Sequence, residues 1–135
     1  MHIEFKIKSV EGKEYIFDLI RKKYLALTPE EWVRQQFLAY LIFEKKYPQS
    51  LIAVERVLKL GSLSKRFDIL IYKNAVPWMI VECKRENISM NDDTLRQILA
   101  YNSSLKVQYL TITNGSTFHC FDIAQHLWSN QLPEF

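Results

Sequence analysis

At 135 residues, 48% of them hydrophobic and 24% charged, the chain is one ordinary domain with room for a real core, and its composition is globular rather than disordered. Its net charge of +3 allows a polyanionic partner without requiring one. The longest apolar run, 37–43, falls well short of the ~20 residues of a membrane helix.

The N-terminal "MHIEFKIKSV" lacks the apolar stretch of a signal peptide, so a cytoplasmic protein without membrane association is expected. The cysteines Cys83 and Cys120 lie in strand-like segments and read as buried free thiols. His2, His119 and His126 are scattered and form no zinc motif. The basic residues come in small groups (Arg21-Lys22-Lys23, Lys45-Lys46, Lys65-Arg66, Lys84-Arg85), each of which alone is an ordinary solvated surface.

In chain order, "IEFKI", a turn at Glu11-Gly12 and "EYIFDL" predict an N-terminal hairpin. A helix follows, with Thr28 as N-cap, Pro29 in the first helical position and Glu31 completing a capping box. Val33, Phe37, Tyr40 and Leu41 recur at helical spacing, and Pro48 marks the end. Three strands come next, "LIAVERVLKL", "RFDILIY" and "PWMIVECK". A second helix fits 92–104, capped at Asn91 or a neighbour. "VQYLTIT", an Asn114-Gly115 turn and "TFHCFDI" form a final hairpin. No repeat or linker divides the chain, and this order predicts a mixed sheet with a helical crossover.

Asp68, Glu82 and Lys84 stand in segments otherwise built for a core, where charges need a partner or a coordinated ion. Strict alternation places Arg66, Asp68, Leu70 and Tyr72 on one face of their strand, and Trp78, Ile80, Glu82 and Lys84 on one face of the next. A turn centred on Ala75 sets Asp68 opposite Glu82 and Arg66 opposite Lys84. Two opposed carboxylates repel unless a cation joins them. Mg²⁺, which takes carboxylate, water and phosphate oxygens, suits the pair, and Mn²⁺ substitutes for it. Such an ion acidifies a water, and Lys84 is placed to hold that water or offset charge on a phosphodiester. The plain alternative is an ion pair of Asp68 with Arg66 or Lys84.

Together, "TPEEWVRQQFLAYL", "RFDILIY", "IVECKREN", "LRQILAYN" and "LTITNG" resemble the PD-(D/E)xK nuclease superfamily, most closely the N-terminal domain of type I restriction enzyme R subunits and its short stand-alone relatives. The resemblance implies a restriction-endonuclease-like fold with an α-β-β-β-α-β-β core at 25–122, an N-terminal hairpin extension at 1–24 and a C-terminal tail at 123–135. It implies metal binding by Asp68 and Glu82 and a catalytic role for Lys84. The superfamily's proline before the aspartate is replaced by Phe67. Glu31 matches an acidic residue of the first helix that often joins such sites, with its capping role as the competing reading. Gln97 and Tyr101 match a Gln-xxx-Tyr element that lines related sites, although by pattern alone Gln97 reads as solvated and Tyr101 as core. Arg34 and Arg85 are candidate phosphate contacts against a reading as surface salt bridges. Cys83 points away from Glu82 and reads as structural.

The expectation is therefore a Mg²⁺-dependent DNA endonuclease domain. The chain holds no GxxxxGK[ST] loop, so any motor or specificity component, if one exists, is expected on another protein. A homodimer is left open. The rival reading is a non-catalytic nucleic-acid-binding or assembly module that keeps the nuclease fold.

Overall fold

Thr28 starts the first helix as its sequence predicts: its hydroxyl accepts the Glu31 N–H at 3.1 Å from an extended backbone, and Pro29 follows. A computed structural model describes residues 3–60, 62–86, 91–101 and 106–135, with the side chains of residues 60, 63, 97, 98 and 101 outside the description. Helix α1 spans Pro29–Ala39 and passes into a π turn at Tyr40–Glu44. There the Lys45 N–H reaches back to the Tyr40 carbonyl at 3.0 Å. The chain leaves the helix well before Pro48.

Ahead of α1 the expected hairpin is a three-stranded antiparallel sheet. It comprises β1 (Ile7–Val10), β2 (Lys13–Phe17) and β3 (Tyr24–Ala26). The β2–β3 connection is tied by Asp18, fully buried, whose carboxylate accepts the Ile20 N–H at 2.8 Å and Arg21 Nε at 2.6 Å. Despite burial, which pushes the other way, these bonds hold the Asp18 carboxyl below the usual range.

The main sheet has six strands in sequence order: β4 (Ile52–Leu60), β5 (Leu63–Lys73), β6 (Val76–Cys83), β7 (Tyr109–Thr113), β8 (Phe118–Asp122) and β9 (Leu127–Ser129). All neighbours are antiparallel except β6 and β7, joined by the crossover that contains α2 (Asp92–Tyr101). Asn91 caps α2, accepting the Thr94 N–H at 2.9 Å. The last hairpin turns through Asn114 to Thr117, with Asn114 Oδ1 accepting the Thr117 N–H at 3.0 Å. The C-terminal segment supplies β9, buries Leu132, and sets Phe135 edge-on to Trp78.

The sheet lies between two apolar layers. On one side Val33, Phe37, Leu38 and Leu41 of the first helical segment pack on Ile69, Ile71, Met79, Val81 and Cys83. On the other, Phe67, Leu70, Ile80, Leu110 and Phe121 gather, with Leu99 of α2 against them. Each fully buried aliphatic side chain contributes about 2 kcal/mol through the water it leaves.

One irregularity shapes everything that follows. Phe67 and Leu70 contact the same layer, whereas residues three apart on an unbroken strand point to opposite faces. The alternation of β5 therefore breaks between them, at Asp68. Across the strand, Glu55 of β4 has φ +52°, and Val54 and Leu58 likewise serve different layers. The expectation of one continuous face from Arg66 to Tyr72 is thus corrected by a local reversal, which a strand takes on when one residue leaves extended geometry.

Candidate functional site

The β5–β6 pairing sets the stage for Asp68 and Glu82. Ile71↔Met79, Leu70↔Ile80 and Ile69↔Val81 follow the register expected from a turn at Ala75, and a bulge between Ile71 and Tyr72 absorbs the tighter turn. The described pairing stops at Ile69↔Val81, one step before Asp68 and Glu82. Where the next backbone carbonyl would accept, the Asp68 carboxylate takes over, and its Oδ2 receives the Cys83 N–H at 2.8 Å. On the other side of β6, the Lys84 N–H reaches the Thr113 carbonyl of β7 at 2.8 Å. The end of β6 is thus pinned from both flanks, which fixes Glu82 and Lys84 relative to Asp68. Arg66 does not face Lys84, because β5 has left β6 by then. It lies instead 3.8 Å from Glu55.

Both carboxylates resist ionisation. Burial raises the Asp68 pKa above the ordinary range, and the Cys83 N–H, Arg34 and Lys84 offset this only in part, while Glu55 adds to it. Burial likewise raises that of Glu82. Lys65 and Lys84 counter it, and the charge of Asp68 raises it further. The charge of Asp68 thus acts on Glu82, that of Glu55 acts on Asp68, and Lys84 acts on both. Lys65 Nζ lies 3.2 Å from Glu82 Oε1 as an ion pair, with side chains only 16% and 13% exposed. Cys83, facing the α1 layer, is a buried free thiol whose pKa burial pushes well up. Cys120 is also buried and free.

Beside this pair stands a second polar cluster. Arg34 is 8% exposed, and its guanidinium bonds Glu31 through Nε (3.0 Å) and Nη2 and Glu55 through Nη1. Gln35 Nε2 adds a bond to Glu31 at 3.0 Å. Burial alone would lower the Arg34 pKa, but the bonds and charges of Glu31 and Glu55 raise it beyond its usual value, so it stays a cation. The Glu31 side chain thus turns to Arg34 and Gln35, not back to the Thr28 N–H, which bonds the Ala26 carbonyl at 3.1 Å. The reciprocal half of the expected capping box is missing. Arg34 forms a buried ion pair, not the surface one its sequence leaves open. Arg21, Arg66, Glu31, Arg34 and Glu55 line an open cleft here.

Arg85 is exposed and lies 3.6 Å from Glu30. Gln97 and Tyr101 belong to α2, but their side chains lie outside the described residues. The sequence reading missed two site residues. Glu55 looks like the outward polar position of an edge strand, and its only signal is an acid inside "IAVERV". Lys65 carries no local signal, since its contact with Glu82 spans the hairpin.

Among the described residues, no group of three or more His, Cys, Asp and Glu side chains is arranged for a metal. The donor set is two carboxylates, Asp68 with one oxygen on the Cys83 N–H and Glu82 paired with Lys65. That set fits Mg²⁺, which is usually held by one or two carboxylates with the remaining positions filled by water or phosphate oxygen. It does not fit an all-protein cage.

A family model described as type I restriction enzyme R protein N terminus matches residues 29–134. No curated protein matches the chain. Among solved structures, the chain is similar to a fragment described as an HsdR subunit of a type I restriction enzyme from Vibrio vulnificus YJ016, with 24% sequence identity and a TM-score of 0.57. The match covers 78% of this chain and 23% of that one, and the likeness shows a shared fold. No described helix is long and apolar enough to cross a membrane.

Proposed function

The chain belongs to the type I restriction enzyme R protein N-terminal family, and on that premise we propose that it is a Mg²⁺-dependent nuclease domain that hydrolyses DNA phosphodiester bonds. The observation that carries this reading is the Asp68 carboxylate bonded to the Cys83 N–H at the pinned end of β6, where Glu82, raised by burial and by the charge of Asp68, and Lys84, which acts on both, are held. A scaffold gains nothing from such a pair, because burying like charges together costs stability.

Asp68 and Glu82 are the proposed holders of Mg²⁺, with Mn²⁺ as a substitute. When bound, the ion acidifies a water and offsets charge on the phosphate. The Cys83 N–H fixes one Asp68 oxygen and so orients the other. Lys84 is proposed to hold the attacking water and to stand against the charge that builds on the phosphate, an interaction strongest in the transition state. Glu31 is assigned to holding Arg34 rather than the ion. Gln97, Tyr101 and Arg85 are proposed substrate contacts. The nuclease core order of the PD-(D/E)xK superfamily and a separate motor or specificity protein as partner belong to the same proposal.

A second reading has one observation behind it. Lys65 already neutralises Glu82 from within the fold, as a domain kept for binding or assembly would need. The deciding test incubates the protein with plasmid DNA in Mg²⁺ or Mn²⁺ against EDTA, beside Glu82→Ala. Metal-dependent nicking abolished by Glu82→Ala supports the nuclease. DNA bound but uncut across metals and substrates favours the binding module.

A further inference from the structure

Between Glu55 and Asp68 the chain carries Arg56, Lys59, Lys65 and Arg66 and no acidic residue. This is the stretch where β4 and β5 pair only with each other, from Arg56↔Phe67 to Leu60↔Leu63, since the described β5–β6 ladder ends at Ile69↔Val81. The result is a two-stranded ribbon roughly 15 Å long at ~3.4 Å per residue, whose tip extends beyond the end of β6. Leu58 and Phe67 root it in the α2-side layer. Arg56, Lys59 and Arg66 are exposed, Arg66 with 68% of its side chain in solvent. Lys65 stands midway along the ribbon, opposite Leu58, and its ammonium reaches Glu82 at 3.2 Å.

An open ribbon is often guarded by charge against pairing with other chains, and charge of either sign does that. Here every charge is positive, and the ribbon springs from the strand that carries Asp68. We propose that this ribbon is the duplex-docking element of the domain: it enters a groove of double-stranded DNA, its cations bind the flanking phosphates, and its base delivers a backbone phosphate to Asp68, Glu82 and Lys84. A major groove about 12 Å wide admits a two-stranded ribbon. The inference rests on the DNA reading of the site, and it fixes the substrate form as duplex.

The test measures binding in EDTA, where nothing is cut, to a duplex and to a single strand of equal length over a range of salt. The triple variant Arg56→Gln/Lys59→Gln/Arg66→Gln is compared with Lys6→Gln/Lys8→Gln/Lys13→Gln, which removes equal charge from the N-terminal sheet. Melting curves establish that both fold. The ribbon variant is expected to bind duplex at least tenfold more weakly, with a salt slope shallower by roughly 2–3 as phosphate contacts are lost. It is expected to lose single-strand binding less, and the N-terminal variant should retain wild-type duplex binding. Equal losses in the two variants, equal losses on the two DNA forms, an unchanged ribbon variant, or a wild type that ignores duplex at low salt would each overturn the proposal. Cleavage is scored separately in Mg²⁺ with Glu82→Ala. An uncut duplex bound through the ribbon sinks only the nuclease reading, and cutting without ribbon dependence sinks only this one.

Discussion

Lys65 Nζ and Glu82 Oε1 stand 3.2 Å apart, although their strands have already separated there. The lysine occupies the carboxylate that the proposed ion would use. Lys65→Met is therefore expected to lower stability in EDTA by on the order of 2 kcal/mol, because a mostly buried carboxylate loses its partner. The same variant should bind Mn²⁺ more tightly, with a larger rise in Tm on adding metal, since only the native state holds it. Calorimetric titration and melts measure both. Weaker metal binding by Lys65→Met would mean that the lysine assists the ion instead of competing with it.

Asp68 and Glu82 give stability a defined pH dependence. Both have folded pKa values raised chiefly by burial, so the folded state holds their protons more tightly than the unfolded chain does. Their contribution is fully present below the unfolded carboxyl range, about 4, and is lost as pH rises through the raised folded values. Asp18 acts in the opposite sense, its lowered pKa giving stability that disappears as pH falls. Comparing wild type with Glu82→Gln removes the Asp18 effect from the difference. In EDTA the variant should lose less stability than wild type as pH rises from 4 to 8, and saturating Mg²⁺ should narrow that gap. Parallel pH profiles for the two proteins would contradict this.

Lys84→Ala separates chemistry from binding. The ammonium acts on both carboxylates, and the proposal gives it work mainly in the transition state. Cleavage should drop by roughly 10²–10³-fold, the usual cost of removing one such stabilising group. Duplex affinity and metal affinity should stay within a few fold. A loss confined to DNA affinity, with turnover intact, would reassign Lys84 to phosphate binding.

Arg34→Met should be the most damaging single change in the polar cluster. It leaves Glu31 and Glu55 close together without the guanidinium that bridges them, at a cost of roughly 3–5 kcal/mol. Arg34→Lys should recover little, because one ammonium cannot reproduce the forked bonds to two carboxylates. Denaturant melts at neutral pH check both. Wild-type stability in Arg34→Met would show the cluster to be incidental to the fold.

Much of this arrangement is legible in the residues alone, for local reasons. Thr28-Pro29 sets the start of α1, and the turn at Ala75 sets the register that carries Asp68 toward Glu82, because caps and hairpins are decided within a few residues. What escapes is decided at a distance. Nothing in the neighbours of Glu55 announces a φ of +52°, a conformation that its side chain tolerates only because surrounding contacts hold it. The parting of β5 from β6 is equally hidden, since an acidic side chain there replaces a backbone acceptor. It also fixes the place of Phe67: with the alternation reversed, that residue is fully buried in the α2-side layer, with the Lys65 ammonium over its ring at 5.0 Å. Short β3 and β9 carry too little pattern to stand out, and each is stabilised by the strand it joins.

The parallel seam between β6 and β7 sets an order in time. Cys83 aligns with Thr113, and the Lys84 N–H waits on the Thr113 carbonyl, so the end of β6 has no second flank until a chain segment some thirty residues later arrives. On a ribosome, the β4–β5 hairpin and α1 emerge and can pack while the end of β6 is held from the β5 side alone. Because long-range strand pairing forms late and slowly, a nascent chain carries its basic arm before the end of β6 is fixed on both flanks. On the proposed reading, newly made protein holds nucleic acid before it can cut it.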